Sequence, residues 1–457
     1  MRADWAGNPI TAEDDATAEA ISDFVGGFVS YEERAANVLA AARANPSNML
    51  ANAYAGALHL FLETPDAPSL ARPWLDRAAA NVAGTTERER ITLAALAAWA
   101  DGDMPRAIAL GREGVAAYPA DLALAKITQY HQFNRGDAPG MLAVGHRVVA
   151  GRPDLAHSHG MLAFGFEQCH MLAEAEDAAL RAVAIQRREP WAHHALAHIH
   201  LTQGRIAEGR AFLEDMADTW TDLNSFMLSH NWWHYALFAI SQGDFGAALR
   251  AYDERCWGLE KGYSQDQIGA VSLLARLEIA GVDVGDRWED VGAHLAPRTG
   301  DFVNGFLSLQ YLYGLARSGR GRAATEMMDG FRARAETPAE DRAVWAEVVL
   351  PAAEGIAAHA AGDWGRAADR LGEALPRLWE AGGSHAQRDL FEQLWLDALI
   401  RAGRLVAAQQ ALERRRGFEP MSVPSNRALA GVYADLGLPG EAGAAEARVR
   451  AALAELD

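Results

Sequence analysis

Cysteine is almost missing from this chain: Cys169 and Cys256 are the whole supply in 457 residues. Two thiols build neither a disulfide framework nor a cysteine-based zinc motif. No apolar run approaches the ~18 residues that span a bilayer. The start, Met1-Arg-Ala-Asp-Trp-Ala-Gly, has no apolar stretch behind its one arginine and does not read as a secretory signal. Basic charge is in deficit, with 42 Lys and Arg against 61 Asp and Glu, a formal charge of −19. That balance opposes phosphate backbones and anionic leaflets, so no nucleic acid and no membrane are expected as partners. A soluble cytoplasmic protein is the expectation. Strand signals are scarce as well. No phosphate loop, dinucleotide glycine fingerprint or Gly-x-Ser-x-Gly elbow stands in a strand-to-helix setting, and no His-Glu-x-x-His helix occurs.

What fills the chain is alanine, leucine and arginine in helix-length windows punctuated by short glycine turns. Gly102 and Gly136 lie 34 residues apart and Gly204 lies 68 further on, with a glycine-less turn near Cys169-His170 in the gap. A 34-residue step is that of a tetratricopeptide repeat. The later turns, at Gly243, Gly319, Gly362, Gly403 and Gly437, are spaced more widely. Pro119, Pro153 and Pro190 end the early repeats, since proline cannot continue a helix. The expectation is an all-α, tetratricopeptide-like α-α superhelix, a right-handed solenoid of about ten helix pairs. It reads as one array over 1–457, with an N-terminal segment at 1–30, an irregular, loop-rich insertion at 281–300 and C-terminal capping helices at 425–457. The run Arg414-Arg415-Arg416 reads as a solvated helix end.

Two histidine pairs stand out from this background. His194 and His198 are four apart, as are His230 and His234, so each pair shares a helix face. Corresponding members are 36 residues apart, close to one repeat, which lays the two helices side by side. The pattern predicts four imidazoles on one wall.

Five ordered blocks, Ala-His198-Ile-His200, His230-Asn231-Trp-Trp233-His234-x-Ala-Leu, Ala-Leu249-x-x-Tyr252-Asp253, Gly281-Val-x-Val-Gly-x-Arg287-Trp288-x-Asp290 and Gly382-Gly-Ser-His-Ala386-Gln387-Arg388-Asp389, resemble the tetratricopeptide repeat protein 38 family. The likeness runs from the Asp-Trp-Ala-Gly start almost to the C-terminus. It implies a helical-repeat fold of full chain length and carries over no general activity. In the helix after the insertion, where the family pattern often has a histidine and an acid, this chain has Leu307-Ser308-Leu309-Gln310.

The candidate catalytic set is His194, His198, His230 and His234, with Asp253 placed to orient one imidazole through its ring N–H. Asn231, Trp233, Tyr252, His385, Gln387, Arg388 and Asp389 are candidate ligand contacts. Arg388 suits bidentate capture of a carboxylate or phosphate, or else a buried pairing with an aspartate. No cofactor is expected, zinc or another divalent metal being the lesser alternative for four imidazoles, and the metal identity is unknown. Three functions compete. A pocket for a small-molecule or peptide-like ligand ranks first, because the histidines sit among apolar and aromatic residues. An enzyme using the same wall for acid–base or metal-assisted hydrolysis or elimination, a hydrolase or lyase, ranks second. A protein–protein scaffold ranks third, and homo-oligomerisation is left open.

Overall fold

The computed structural model describes residues 2–456. Helix takes up 76% of the chain. Among the described residues the sheet content is one hairpin with two-residue strands, Arg2–Ala3 paired with Pro9–Ile10. The fold is all-α, built from helices paired across short turns, and regular helix begins at Asp15.

Turn chemistry explains the period. At Gly102, Gly136, Gly243 and Gly362 φ lies between 69° and 82°, the left-handed region open to glycine. The aspartate that follows each accepts the backbone N–H three residues on. Asp103, Asp137, Asp244 and Asp363 do so at 2.9–3.3 Å. Glycine ends one helix and aspartate caps the next, which is why the Gly-Asp dipeptide recurs. In the glycine-less turn His170 adopts the same conformation, at φ 56°.

The chain divides into two compact units, Met1–Leu196 with Met216–Met227, and Ala197–Asp215 with Leu228–Asp457. The first unit holds four regular pairs: Met49–Leu60 with Ala67–Ala80, Glu87–Ala100 with Met104–Ala117, Leu122–Asn134 with Ala138–Gly151, and Ala156–Gln168 with Leu172–Ile185. Ile21, Phe24, Leu50, Tyr54, Leu96 and Leu122 form its core. Helices close on each other at small residues: a Cβ added to Gly145 would stand 2.8 Å from Leu162 Cα. One arginine locks the N-terminal hairpin down. Arg88, 3% exposed, donates from Nη1 to Asp121 Oδ2 at 2.6 Å and from Nη2 to the Pro9 carbonyl at 3.1 Å, and its Nη1 lies 4.0 Å from Asp4.

Two helices of the second unit run longer, in keeping with the wider turn spacing there. Ser264–Ile279 has 16 residues and His385–Arg401 has 17, whereas the first helices of unit 1 pairs have 12–14. Near Trp345–Val349 a π-turn fuses Arg342–Val344 to Leu350–Ala360. The stretch 281–300, expected to be loop-rich, instead carries the helix Arg287–Leu295. Its Trp288, Val291 and Leu295, at i, i+3 and i+7, are buried, each contributing roughly 1.5–3 kcal/mol. A nine-residue helix between glycines leaves too short a pattern to be recognised by period.

Candidate functional site

The second unit gathers the histidines. His198 lies in the C-terminal half of the helix Pro190–Thr202, and His230, Asn231, Trp233 and His234 lie in Ser225–Gln242. Positions 230, 231, 234 and 238 fall within about 100° of one another around a helix, so one face carries two imidazoles, an amide and Phe238. Ring nitrogens of His198, His230 and His234 stand within 4.8 Å of one another. The ring centroids of His198 and His234 are 4.6 Å apart, and those of His230 and His234 5.0 Å. His385 joins them edge-on, 5.3 Å from His198, its Nε2 3.0 Å from Thr202 Oγ1. Trp233 lies flat against His230 at 5.2 Å and donates its indole N–H to Ser272 Oγ at 3.3 Å. His198, Asn231 and His234 are fully buried. Burial pushes His230 down to about 3, with His198 adding to the effect, so its imidazole is neutral at physiological pH. Among the described residues neither amide atom of Asn231 has a hydrogen-bond partner, a condition rare for buried polar groups.

Behind Trp233 runs a buried charge network. The Arg276 guanidinium lies 5.4 Å from the Trp233 ring centroid, donates to Ser272 Oγ and, at 2.9 Å, to the Ala386 carbonyl, and sits 3.9 Å from Asp389. Burial pulls Arg276 down to about 10, Asp389 opposing. Asp389 takes both guanidinium nitrogens of Arg415, one at 3.0 Å, and the Gln393 amide at 2.6 Å. Burial acts to raise its pKa, but Arg415 and Arg276 together hold it down to about 2. Arg415, expected to be a solvated helix end, is thus an inter-helix ion pair.

Several expected contacts do other work. Gln387 closes a capping box with Ser384, accepting from Ser384 N at 2.9 Å and donating its own N–H to Ser384 Oγ at 3.2 Å. Arg388 donates to the Gly383 carbonyl, bracing the turn where Gly382 and Gly383 have φ 95° and 76°. A buried arginine–aspartate pairing of the kind foreseen for Arg388 is made by Arg415. Asp253, expected to orient an imidazole, binds Arg287 with both oxygens, at 2.8 and 2.6 Å. Asp389 is likewise engaged by arginine. Tyr252 is 1% exposed, with the Arg287 guanidinium 6.0 Å from its ring centroid. The block around Arg287 and Asp290 is a structural latch, Asp290 accepting from Trp257 Nε1 at 2.6 Å and from Lys261 at 2.7 Å.

His194 belongs to the first unit. It stacks on Trp191 at 4.4 Å and meets Phe164 at 5.1 Å. Nearby in that unit Lys126 donates to the carbonyls of Phe28 and Val29, at 2.7 and 3.0 Å, with its amine 3.1 Å from the Tyr31 ring centroid. Glu189, 1% exposed, caps the Pro190–Thr202 helix by accepting from Ala192 N, while its Oε1 has no hydrogen-bond partner among the described residues. Gly160 leaves it room, since a Cβ there would stand 2.8 Å from Glu189 Oε2. Burial pushes Glu189 up to about 7, opposed by the backbone N–H of Ala192 and by Lys126. A raised carboxyl pKa gives stability that is fully present below the unfolded value of 4.5 and lost as pH rises through about 7. Glu189→Gln is therefore expected to gain on the parent between pH 5 and pH 8, by up to about 3 kcal/mol. Melting curves at the two pH values check this, and an offset that is the same at both would contradict it.

Sequence reasoning missed Arg276, Ser272, Thr202 and Arg415. The contact between Arg276 and Ala386 spans 110 residues and leaves no local pattern.

No family model matches the chain. The fold is all-α, with almost no sheet among the described residues. Similar solved structures include the human IFIT1 dimer with PPP-AAAA, at 13% identity over 97% of this chain and 96% of that one, with a TM-score of 0.43. The same dimer with m7Gppp-AAAA is likewise 13% identical, over 98% and 91%, with a TM-score of 0.38. Naa15/Naa10 bound to HypK-THB is 13% identical over 94% and 67%, with a TM-score of 0.25. No ligand is transferred from them. They do correct one expectation. Nucleic acid was set aside on net charge, yet IFIT1 structures hold capped and triphosphate oligonucleotides. Net charge sums the whole surface, whereas a pocket binds through local donors, so −19 does not exclude such a partner. Among the described residues no helix is long and apolar enough to cross a membrane.

Proposed function

We propose that this is a small-molecule-binding helical-repeat protein whose pocket in the second unit is built by His198, His230, His234, Asn231 and Trp233. We also propose that it is a relative of the tetratricopeptide repeat protein 38 family, on the strength of the five sequence blocks. The observation that carries the pocket is Asn231: fully buried beside the imidazoles, with neither end of its amide satisfied by the described residues. A folded core rarely retains such a group unless something else binds it, because leaving it unpaired costs about 1–3 kcal/mol. Burial also separates the candidate ligands. His198, Asn231, Trp233 and His234 are all 2% exposed or less, which suits an enclosed small molecule and not an extended chain lying in an open groove.

Native mass spectrometry of the full chain tests this. The parent is expected to carry a discrete mass excess over the polypeptide, lost in Asn231→Leu and in His234→Gln while circular dichroism stays unchanged. An excess retained undiminished in both variants, or a parent that carries none, would overturn the pocket.

A further inference from the structure

We propose that His198, His230 and His234 bind one divalent transition-metal ion of the zinc type. The inference rests on the pocket proposed above and names its inorganic component.

Donor chemistry comes first. Three imidazoles, with no thiolate in the set, form a borderline nitrogen donor set that suits zinc, copper, nickel or cobalt. Magnesium and calcium want oxygen ligands and find none among these three side chains. Geometry agrees. Zinc holds imidazole nitrogen at ~2.0–2.1 Å, which places two tetrahedral ligands about 3.4 Å apart. The three nitrogens lie within 4.8 Å of one another, within about 1.4 Å of that spacing.

Ring support is the second strand. His230 is held flat against Trp233, and Trp233 is fixed in turn by Ser272 and by the Arg276 guanidinium. His198 meets the edge of His385, which Thr202 orients from the same helix as His198. Groups that fix the orientation of ligating imidazoles are what a preorganised metal site needs. The third strand is independent of the histidines. Asn231 is fully buried, shares the helix face of His230 and His234, and offers both an amide donor and an acceptor that the described residues do not use. A polar group of this kind beside the imidazoles can hydrogen-bond a further ligand of the ion.

The test uses the full chain, stripped with a chelator, dialysed and titrated with zinc chloride and separately with cobalt chloride. The expected result is one ion per chain at submicromolar affinity, a rise in melting temperature on loading, and the visible ligand-field bands of four-coordinate cobalt without thiolate charge transfer. His198→Gln, His230→Gln and His234→Gln should each weaken binding by at least about 100-fold, and His159→Gln should not change it. If a glutamine variant fails to fold by circular dichroism, the asparagine variant at that position replaces it, and the cobalt spectrum of the parent stands on its own. A parent that takes up no ion, or histidine variants that bind as tightly as the parent, overturns the metal site. Should the stripped parent take up no ion yet still hold a small molecule that Asn231→Leu loses, the metal fails and the pocket stands.

Discussion

An Arg88→Met variant is expected to lose about 3–5 kcal/mol of unfolding free energy at pH 7, toward the upper end because one guanidinium serves two carboxylates. Arg88 is 3% exposed and lies between Asp121 and Asp4, themselves nearly or fully buried. Methionine fills its volume but leaves both anions in a core that does not solvate them. Asp121 also caps the Leu122–Asn134 helix, accepting from Leu124 N at 3.0 Å, so damage there spreads to a second element. The pH dependence follows from Asp4. Burial already raises its pKa above 3.8, with Asn8 and Arg88 opposing, and loss of the guanidinium raises it further. A raised carboxyl pKa contributes stability below the unfolded value and forfeits it as pH rises through the folded one. The deficit of the variant should therefore be largest at pH 7 and narrow toward pH 4. Urea unfolding at both pH values measures it, and a variant as stable as the parent at pH 7 would refute the buried clamp.

Asp389→Asn is the second large effect, also about 3–5 kcal/mol, with the sign of the charges reversed. It leaves Arg415 and Arg276 facing an amide, and Arg276 is 2% exposed. In the parent the carboxyl is held down to about 2. A depressed pKa gives stability that is present above the unfolded value of 3.8 and lost as pH falls through about 2. The parent should thus weaken in acid over that window, and Asp389→Asn should lack this component. Pairing Asp389→Leu with Arg415→Met should recover part of the loss, since a buried ion pair is often replaceable by packed apolar side chains. Denaturation of the single and double variants decides this. A single variant within about 0.5 kcal/mol of the parent would show that the pair contributes no stability.

What the sequence made legible was local. The 34-residue step between Gly102 and Gly136 reports a glycine ending one helix and an aspartate capping the next, both decided within a few residues. The spacing of His230 and His234 likewise fixes a shared face, because helix geometry is set by the backbone alone. Long-range pairing was not legible. Asp253 looked free to orient an imidazole, but its partner is Arg287, 34 residues away across a turn the pattern showed as loop. Gln387-Arg388-Asp389 looked like one ligand-binding run. Helix geometry instead turns each side chain about 100° from the last, giving them a cap, a turn brace and an ion pair in three directions. Asn231 was named among the contacts for its place between two histidines. That its amide is buried and unpartnered is a property of packing that no spacing reveals.

Thermal unfolding of the small-molecule-free chain, parent against Asn231→Leu and Asn231→Ala, tests most directly whether the pocket exists for a ligand and not for the fold. Leucine keeps the branched shape of asparagine without its polar atoms, and alanine controls for overpacking. If Asn231 is retained for a ligand, removing an unsatisfied buried amide should leave both variants melting no lower than the parent, with a gain of up to about 1–3 kcal/mol. If both instead lose more than about 1 kcal/mol, Asn231 supports the fold and the ligand pocket is contradicted.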